Sequence, residues 1–263
     1  MSTNPPNTIW VITGANRGIG LGLLKRLLER PSTTVIATVR NNEAASTLNA
    51  EVASLSPRKD NALHIIQLDF TTALAPEAIR SAFEAALPNL SHIDILINNA
   101  ALAPPLIPSV TITADSLRAS FEVNTIAPLL TFQALWPYLK NSPLVSKPPA
   151  GPKLITITSA LGCINNMLPY PAGAYGPSKA AANWLTKSLH VQLADEGLIA
   201  AAVHPGWTQT NMGHFAAGEW GIEEGPPVTV EQSVEGILEA VDKVDRDSGA
   251  GRLLSFDGDK MEW

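Results

Sequence analysis

Ser159, Tyr175 and Lys179 are residue types that together can move a proton. Tyr175 and Lys179 are four apart, so on a helix they share one face. A tyrosine of ordinary pKa, about 10, is a weak acid–base at neutral pH. A neighbouring ammonium stabilises its phenolate, and a positively charged nicotinamide ring would add to that. The hydroxyl of Ser159 can hold a substrate oxygen. Asn124 is expected in mid-helix, where asparagine is mildly unfavourable, so a polar task suits it. Each residue alone reads as helix surface, turn or cap. The four together read as a site that protonates a carbonyl or deprotonates an alcohol.

A second cluster lies ahead of the first. Thr13-Gly14-Ala15-Asn16-Arg17-Gly18-Ile19-Gly20 separates an apolar, β-rich run (9–13) from a run with helical spacing (19–30). Glycines at 14, 18 and 20 let the chain turn sharply and let a pyrophosphate approach the backbone. The helix that follows offers unpaired N–H groups and a partial positive charge. The spacing is Gly-x-x-x-Gly-x-Gly, not the commoner Gly-x-Gly-x-x-Gly. A glycine turn without ligand is the competing reading, and the strand–turn–helix setting weighs against it. The second strand ends at Val39, where an NAD-preferring domain carries an acid for the ribose hydroxyls. Arg40 follows instead, with Glu43 the acid close by. Arg40 and Arg17 can pair with a 2′-phosphate, so NADP(H) is favoured. Two solvated surface arginines are the blander alternative.

The whole chain bounds these readings. With 263 residues, 45% apolar and 16% charged, it suits one packed α/β domain spanning 1–263. A net charge of −6 argues against nucleic acid or an anionic membrane as partner. The single cysteine, Cys163, cannot form an internal disulfide or a structural zinc site, and no metal is expected. No apolar run is long enough to cross a membrane, and the first residues lack a signal peptide's basic start. A soluble, cytoplasmic protein is expected.

The elements that must position these residues alternate along the chain. Strands are expected at 9–13, 33–39, 63–68, 93–97, 153–158, 199–203 and 252–256. Helices are expected at 19–30, 42–55, 76–87, 116–139 (bent at Pro128), 174–194 and 230–244. The strands are continuous apolar runs, as in a parallel sheet buried on both faces. The fold class is therefore α/β: a Rossmann fold with a doubly wound, seven-stranded parallel sheet flanked by helices. Ser159 falls at the carboxyl edge of that sheet, where ligands bind. Residues 209–227, rich in glycine and aromatics, are expected to form a mobile substrate lid.

With these residues in place, the chain resembles the short-chain dehydrogenase/reductase family over essentially its full length. Residues 13–20, with Gly14, Asn16, Arg17, Gly18, Ile19 and Gly20, match the family's cofactor turn. Asp69, followed by Phe70, matches the position that contacts adenine. Asn98-Asn99-Ala100 matches the family's Asn-Asn-Ala-Gly segment, and Asn124, Ser159, Tyr175 and Lys179 match its catalytic tetrad. Pro205-Gly206-Trp207-Thr208-Gln209-Thr210 matches the loop that holds the nicotinamide. The resemblance implies that Tyr175 is the general acid in reduction and that Ser159 steadies the carbonyl oxygen. It implies that Lys179 binds the nicotinamide ribose and lowers the tyrosine pKa, and that Asn124 anchors a water relaying protons to Lys179. It also implies a homo-oligomer, dimer or tetramer, through the two long helices. Within the family, residues 30–35, 38–41, 174–181 and the tail 251–263 are similar to fungal ketoreductases of the norsolorinic acid ketoreductase type.

Two departures stand out. Ala101 replaces the usual glycine, and the stretch from Ser159 to Tyr175 is longer than the commonest spacing. The extra residues bring Tyr170, which lacks a lysine four residues on and is expected at the substrate. The expected pocket comprises Leu102, Leu106, Ile107, Cys163, Asn165, Met167, Tyr170, Trp207, Met212, Phe215 and Trp220. Few are charged, which suits a bulky polycyclic or aromatic ketone rather than a sugar or organic acid. An NADPH-dependent ketoreductase of specialised metabolism is the leading reading. Imine or iminium reduction, or a non-redox role as cyclase or regulatory NADPH-binding module, stays open.

Overall fold

The computed structural model describes residues 7–55 and 58–263. Its elements run β1 (Thr8–Thr13), α1 (Gly18–Leu28), β2 (Thr33–Val39), α2 (Asn42–Ala53), β3 (Ala62–Gln67), α3 (Pro76–Ala86), β4 (Ile95–Asn98), α4 (Ala114–Phe121) and α5 (Ala127–Leu139). They continue with β5 (Lys153–Ile157), α6 (Tyr175–Gln192), β6 (Ile199–His204), α7 (Asn211–Trp220), α8 (Val230–Lys243), β7 (Leu253–Ser255) and β8 (Lys260–Met261). All strands join one sheet in the order β3-β2-β1-β4-β5-β6-β7-β8. The order reverses beside β1, and such a switch point opens a crevice at the strands' carboxyl ends.

The strands are apolar on both faces because both faces are covered. In β1, Trp10 and Ile12 enter one core with Leu23, Leu24 and Leu27 of α1 and Ile237 and Val241 of α8. Ile9 and Val11 enter the other, with Ile79 and Phe83 of α3 and Phe132 and Leu135 of α5. Leu23, Leu24, Leu27 and Leu28 of α1 recur at helical spacing and are buried, each contributing about 2 kcal/mol. Tight ends keep these helices in place. Asn41 caps α2 through Ala44 N–H, and Thr229 and Gln232 form a reciprocal capping box at α8.

The structure corrects the sequence expectations in two places and adds detail in a third. Among the described residues the sheet has eight strands rather than seven, because β8 folds back antiparallel on β7. Its two residues are too short to leave a periodic signal. The long helix expected over 116–139 is interrupted by a π-helical turn, Glu122–Ile126. Pro128 explains the break: it has no N–H for the carbonyl of Asn124, four residues back, so the ladder widens there. The segment 209–227 contains a regular helix, α7. Thr210 caps it by accepting from Gly213 N–H, and Gly221 ends it in the left-handed region at φ 66°.

Candidate active site

The carboxyl ends of β1, β4, β5 and β6 border a cleft of about 800 Å³ that runs from the first glycine turn to Tyr175. At the glycine end, the chain adopts φ of 66° at Gly14 and 55° at Gly18, where only glycine is unstrained. A side chain at Gly14 would stand 2.9 Å from Ala100 Cα, and one at Gly20 would collide with the Gly14 carbonyl. Asn99 locks the turn: its Nδ2 donates to the carbonyls of Thr13 (2.9 Å) and Gly14 (3.1 Å). Thr13 Oγ1 in return accepts the N–H groups of Asn99 (2.9 Å) and Ala100 (3.0 Å). α1 starts behind Arg17 with no side-chain cap, so its first N–H groups face the cleft without an intrachain acceptor.

Arg17 and Arg40 line this end, with Asn16, Ile19, Asp69 and Phe70. Neither arginine has a carboxylate partner among the described residues, although Glu43 shares the wall. Asp69 is turned inward on its own loop. Its carboxylate accepts from Thr71 Oγ1 (2.7 Å) and Thr71 N–H (3.0 Å), and these bonds hold its pKa down. A glycine cradle, an uncapped helix start and two unpaired guanidinium groups are the donor set that a dinucleotide with an extra phosphate needs.

At the other end, α6 presents Tyr175 and then Lys179 to the cleft, 8% and 3% exposed. A polar ladder fixes α6 against β5. Lys179 Nζ donates to the Ile157 carbonyl (2.9 Å), Thr158 Oγ1 donates to Asn183 Oδ1 (2.6 Å), and Thr186 Oγ1 donates to Thr156 Oγ1 (2.8 Å). Burial pushes the Tyr175 phenol up to about 12, with the Ser159 hydroxyl pulling it back. Burial also brings Lys179 down to about 8. Ser159 follows β5 and caps a short turn, its Oγ accepting from Leu161 N–H at 3.2 Å. Asn124 is 1% exposed in the π-turn, and its side chain is saturated. Its Oδ1 accepts from Leu102 N–H (2.8 Å), and its Nδ2 donates to the Leu102 carbonyl (2.8 Å) and Ser178 Oγ (2.9 Å). Asn124 stands behind the cleft wall and holds Leu102 on it, while the half-buried Ser159 hydroxyl is within hydrogen-bonding reach of the Tyr175 phenol, which lines the cleft.

Ala100, Pro205 and Thr210 also line the cleft as the sequence suggests, whereas Gly20, Asn98, Gly206, Trp207 and Thr208 do not. Gly20 supports the cradle from beneath. Asn98 points at α5, donating to the Pro128 carbonyl at 3.2 Å, and Asn99 takes its place on the wall. Thr208 is buried and donates to the Pro205 carbonyl (2.9 Å), while Trp207 Nε1 donates to the Gly213 carbonyl (3.0 Å).

The substrate side departs further from expectation. Leu102, Met212 and Phe215 line the cleft. Leu106, Ala103, Leu161, Ala216 and Trp220 pack with Met212 around Tyr175. Cys163 does not line the cleft: it is 1% exposed in a separate cluster with Ala202 and Leu253. Asn165 is turned to the C-terminal segment, Met167 is 74% exposed, and Ile107 packs beside Gly173. Tyr170 stacks on Trp220 at 4.8 Å, and Trp220 in turn meets Trp207 edge-on at 5.7 Å. These aromatics fasten α7 to the preceding loop rather than face the cleft. Trp220 Nε1 also donates to the Pro171 carbonyl, and Glu219 accepts Leu106 N–H at 3.0 Å.

Sequence reasoning named Asn99 only as part of the 98–100 segment and gave no role to Ser178, Glu219 or His204. Each acts through a neighbour's backbone or side chain, which leaves no spacing signal of its own. His204 Nδ1 accepts Ala160 N–H at 3.2 Å, directly beside Ser159, and burial brings its pKa down to about 4. Among the described residues no cluster of three or more His, Cys, Asp or Glu could hold a metal ion, and no helix is long and apolar enough to cross a membrane.

The comparisons with known proteins agree with this geometry. A norsolorinic acid ketoreductase from Dothistroma septosporum is 33% identical over 260 residues, covering 97% of this chain and 92% of its own. A short-chain dehydrogenase from Pyricularia oryzae is 35% identical over 98% of this chain and 99% of its own. The crystal structure of an NADPH-bound carbonyl reductase from chicken fatty liver superposes with a TM-score of 0.81 at 30% identity, covering 98% of this chain and all of that one. The short chain dehydrogenase family pattern matches residues 8–219, and the chain belongs to that family of oxidoreductases.

Proposed function

We propose that this chain is an NADP(H)-dependent ketoreductase that reduces a carbonyl of a bulky, polycyclic or aromatic compound of specialised metabolism, with Tyr175 as the general acid. The observation that carries this reading is one cleft with a phosphate-type cradle at one end and a buried Tyr175–Lys179 pair at the other. The solved chicken carbonyl reductase is an NADPH complex, and three of the sequence relatives are named norsolorinic acid ketoreductases, which supports both the cofactor and the substrate class.

Arg17 and Arg40 would pair with the 2′-phosphate, and the N-terminus of α1 would take the pyrophosphate. When bound, the nicotinamide supplies a hydride to the carbonyl carbon. The protein supplies the proton. Burial keeps Tyr175 neutral, so it meets a substrate as an O–H donor and passes its proton to the developing alkoxide oxygen. The Ser159 hydroxyl steadies that oxygen beside it. The Lys179 ammonium, four residues on, compensates the phenolate that Tyr175 becomes. The side chain of Asn124 is fully engaged, so it acts by holding Leu102 on the wall and by opening the helix at the π-turn. Its main-chain carbonyl, deprived of a donor by Pro128, is the group that fits a water relay to Lys179. Leu102, Met212 and Phe215 on the cleft wall near Tyr175, backed by Leu106, Ala216 and Trp220, give the apolar surroundings that suit a flat, fused-ring ketone.

The same reading includes a homo-oligomer. On α6, Trp184 and Val191 are 68% and 65% exposed and lie two turns apart on an outer face. A solution mass equal to one chain would remove this part.

The test is NADPH consumption with a panel of polycyclic aromatic ketones. Tyr175→Phe should lower kcat by about a hundredfold or more with NADPH affinity unchanged. Turnover that survives the substitution with ketones sinks the assignment of Tyr175. Turnover confined to imines moves the chain to imine reduction.

A further inference from the structure

The C-terminal segment carries interactions that the reaction itself does not use. After β7, the chain turns through Gly258 (φ 92°), pairs β8 with β7, and then reaches back with Glu262 and Trp263. Asn165 Nδ2 donates to Glu262 Oε2 at 2.8 Å, and Asn165 N–H donates to the Trp263 carbonyl at 3.0 Å. Met261 and Trp263 pack on the cluster of Cys163, Ala202 and Leu253, and the Lys187 ammonium lies 5.6 Å from the centre of a Trp263 ring. A segment nearly a hundred residues away in sequence thus grips the chain four to six residues after Ser159.

What it grips is the near end of the loop that separates Ser159 from Tyr175. The far end is held elsewhere: Tyr170 stacks on Trp220, the Pro171 carbonyl takes the Trp220 N–H, and Gly173 fits against the Pro105 carbonyl where no side chain could. Between the two anchors, Met167 and Leu168 are 74% and 40% exposed, and Ile164 at the near anchor is 72% exposed; none belongs to a core cluster. Without the tail, the near end would keep only the buried Cys163 as its anchor, and the chain from Asn165 onward would lose its hold. Its freedom would fall on the side of the cleft where Leu161 packs beside Tyr175.

We propose that residues 260–263 form a strap that sets substrate specificity, with Trp263 and Glu262 as positioning residues for the loop after Ser159. The proposal rests on the cleft being that of a carbonyl reductase. The loop backs Leu161, which packs beside Tyr175, so a large ketone that reaches past Tyr175 depends on the loop having one conformation; a small ketone does not. Neither Trp263 nor Glu262 touches the cofactor end or Tyr175, so cofactor affinity and the chemical step are separate from the strap.

The experiment uses the whole chain with Trp263→Ala, and with Glu262→Ala and Glu262→Gln as milder changes. Three readouts are compared: NADPH affinity by fluorescence titration, KM and kcat for a small aryl ketone and a fused-ring ketone, and hydrogen exchange of residues 164–172. The strap predicts unchanged NADPH affinity and faster exchange at 164–172. It predicts a KM for the fused-ring ketone raised about fivefold or more in Trp263→Ala, with kcat and the small ketone within about twofold. Glu262→Gln, which keeps an acceptor oxygen, should behave as wild type, whereas Glu262→Ala should shift in the direction of Trp263→Ala. Exchange at 164–172 that does not change in Trp263→Ala or Glu262→Ala overturns the strap, and so does an equal KM rise for both ketones. A wild-type protein that binds NADPH but reduces neither ketone overturns the proposed activity instead, and exchange at 164–172 still decides whether the tail holds the loop.

Discussion

Lys179 stands one helical turn beyond Tyr175, its ammonium 5.6 Å from the phenol ring centre and donating to the carbonyl of Ile157 at 2.9 Å. The pair is tied through one strand residue to the end of β5, where Ser159 follows. Burial acts on the two groups in opposite directions. It raises the tyrosine to about 12 and lowers the lysine to about 8, so both are biased towards their neutral forms. Desolvation is the largest cause on both groups, and at the tyrosine it outweighs the opposing Ser159 hydrogen bond.

A pH dependence follows from Lys179. Its folded-state pKa is lowered, so the ammonium is present below about pH 8 and is lost as pH rises through that value. An anionic cofactor binds the charged form better. NADPH affinity should be level below that pH and then weaken, by up to about tenfold per pH unit above it. Lys179→Met, neutral at every pH, should bind more weakly at neutral pH and lose the dependence. A wild-type titration that stays level through pH 8 and beyond contradicts this account.

Arg40 should decide between the two nicotinamide cofactors. It lines the cleft at the end of β2 without a carboxylate partner among the described residues. A charged hydrogen bond to phosphate contributes about 1.5–3 kcal/mol. Arg40→Ala should therefore weaken NADPH binding by roughly tenfold to a hundredfold and leave NADH within about twofold. Parallel titrations of both cofactors check it, and an equal loss for the two would place the arginine away from the 2′-phosphate.

Two glycines on helices should respond in opposite ways to alanine. At Gly20 an added methyl would strike the Gly14 carbonyl and the Asn99 amide. Gly20→Ala should destabilise the protein by about 1–3 kcal/mol and weaken the cofactor cradle with it. At Gly218, on α7, nothing lies within 4 Å of an added methyl. Gly218→Ala should raise stability by about 0.5–1 kcal/mol through lower unfolded-chain entropy. Thermal melts of both variants, with and without NADPH, read the contrast.

The sequence announces some of this architecture and hides the rest for identifiable reasons. Val11, Ile36, Leu96 and Ile155 lie in strands whose both faces are buried, so their runs are continuous and legible. Tyr175, Lys179 and the glycine turn are legible because their chemistry needs fixed spacing. The π-turn at Asn124 is not, since Pro128 marks a disturbance without saying whether the helix bends or widens. The substrate wall is the least legible. Cys163, Asn165 and Tyr170 have suitable chemistry at suitable positions, yet the C-terminal segment and Trp220 claim them for packing. Contacts between segments so far apart in sequence leave no periodic trace.

His204 offers the sharpest test of how the Ser159 turn is built. Its Nδ1 accepts the N–H of Ala160, so the ring must be neutral for the bond to exist. Burial lowers its pKa from 6.5 to about 4, with Asp257 opposing the shift. The sign is that of a group whose folded form resists protonation. Its contribution to stability is present above the unfolded pKa and falls away as pH drops through the folded value, by up to roughly 3 kcal/mol in total. His204→Leu leaves the half-buried Ala160 N–H without its acceptor, which costs about 1 kcal/mol and frees the turn that carries Ser159. His204→Asn places an oxygen near the Nδ1 position and should recover most of the loss. Denaturant unfolding at neutral and acidic pH separates the cases: the wild type should lose stability between pH 6.5 and 4, and the asparagine variant should lose less. If the leucine variant matches wild type in stability and in kcat, His204 does not position Ser159.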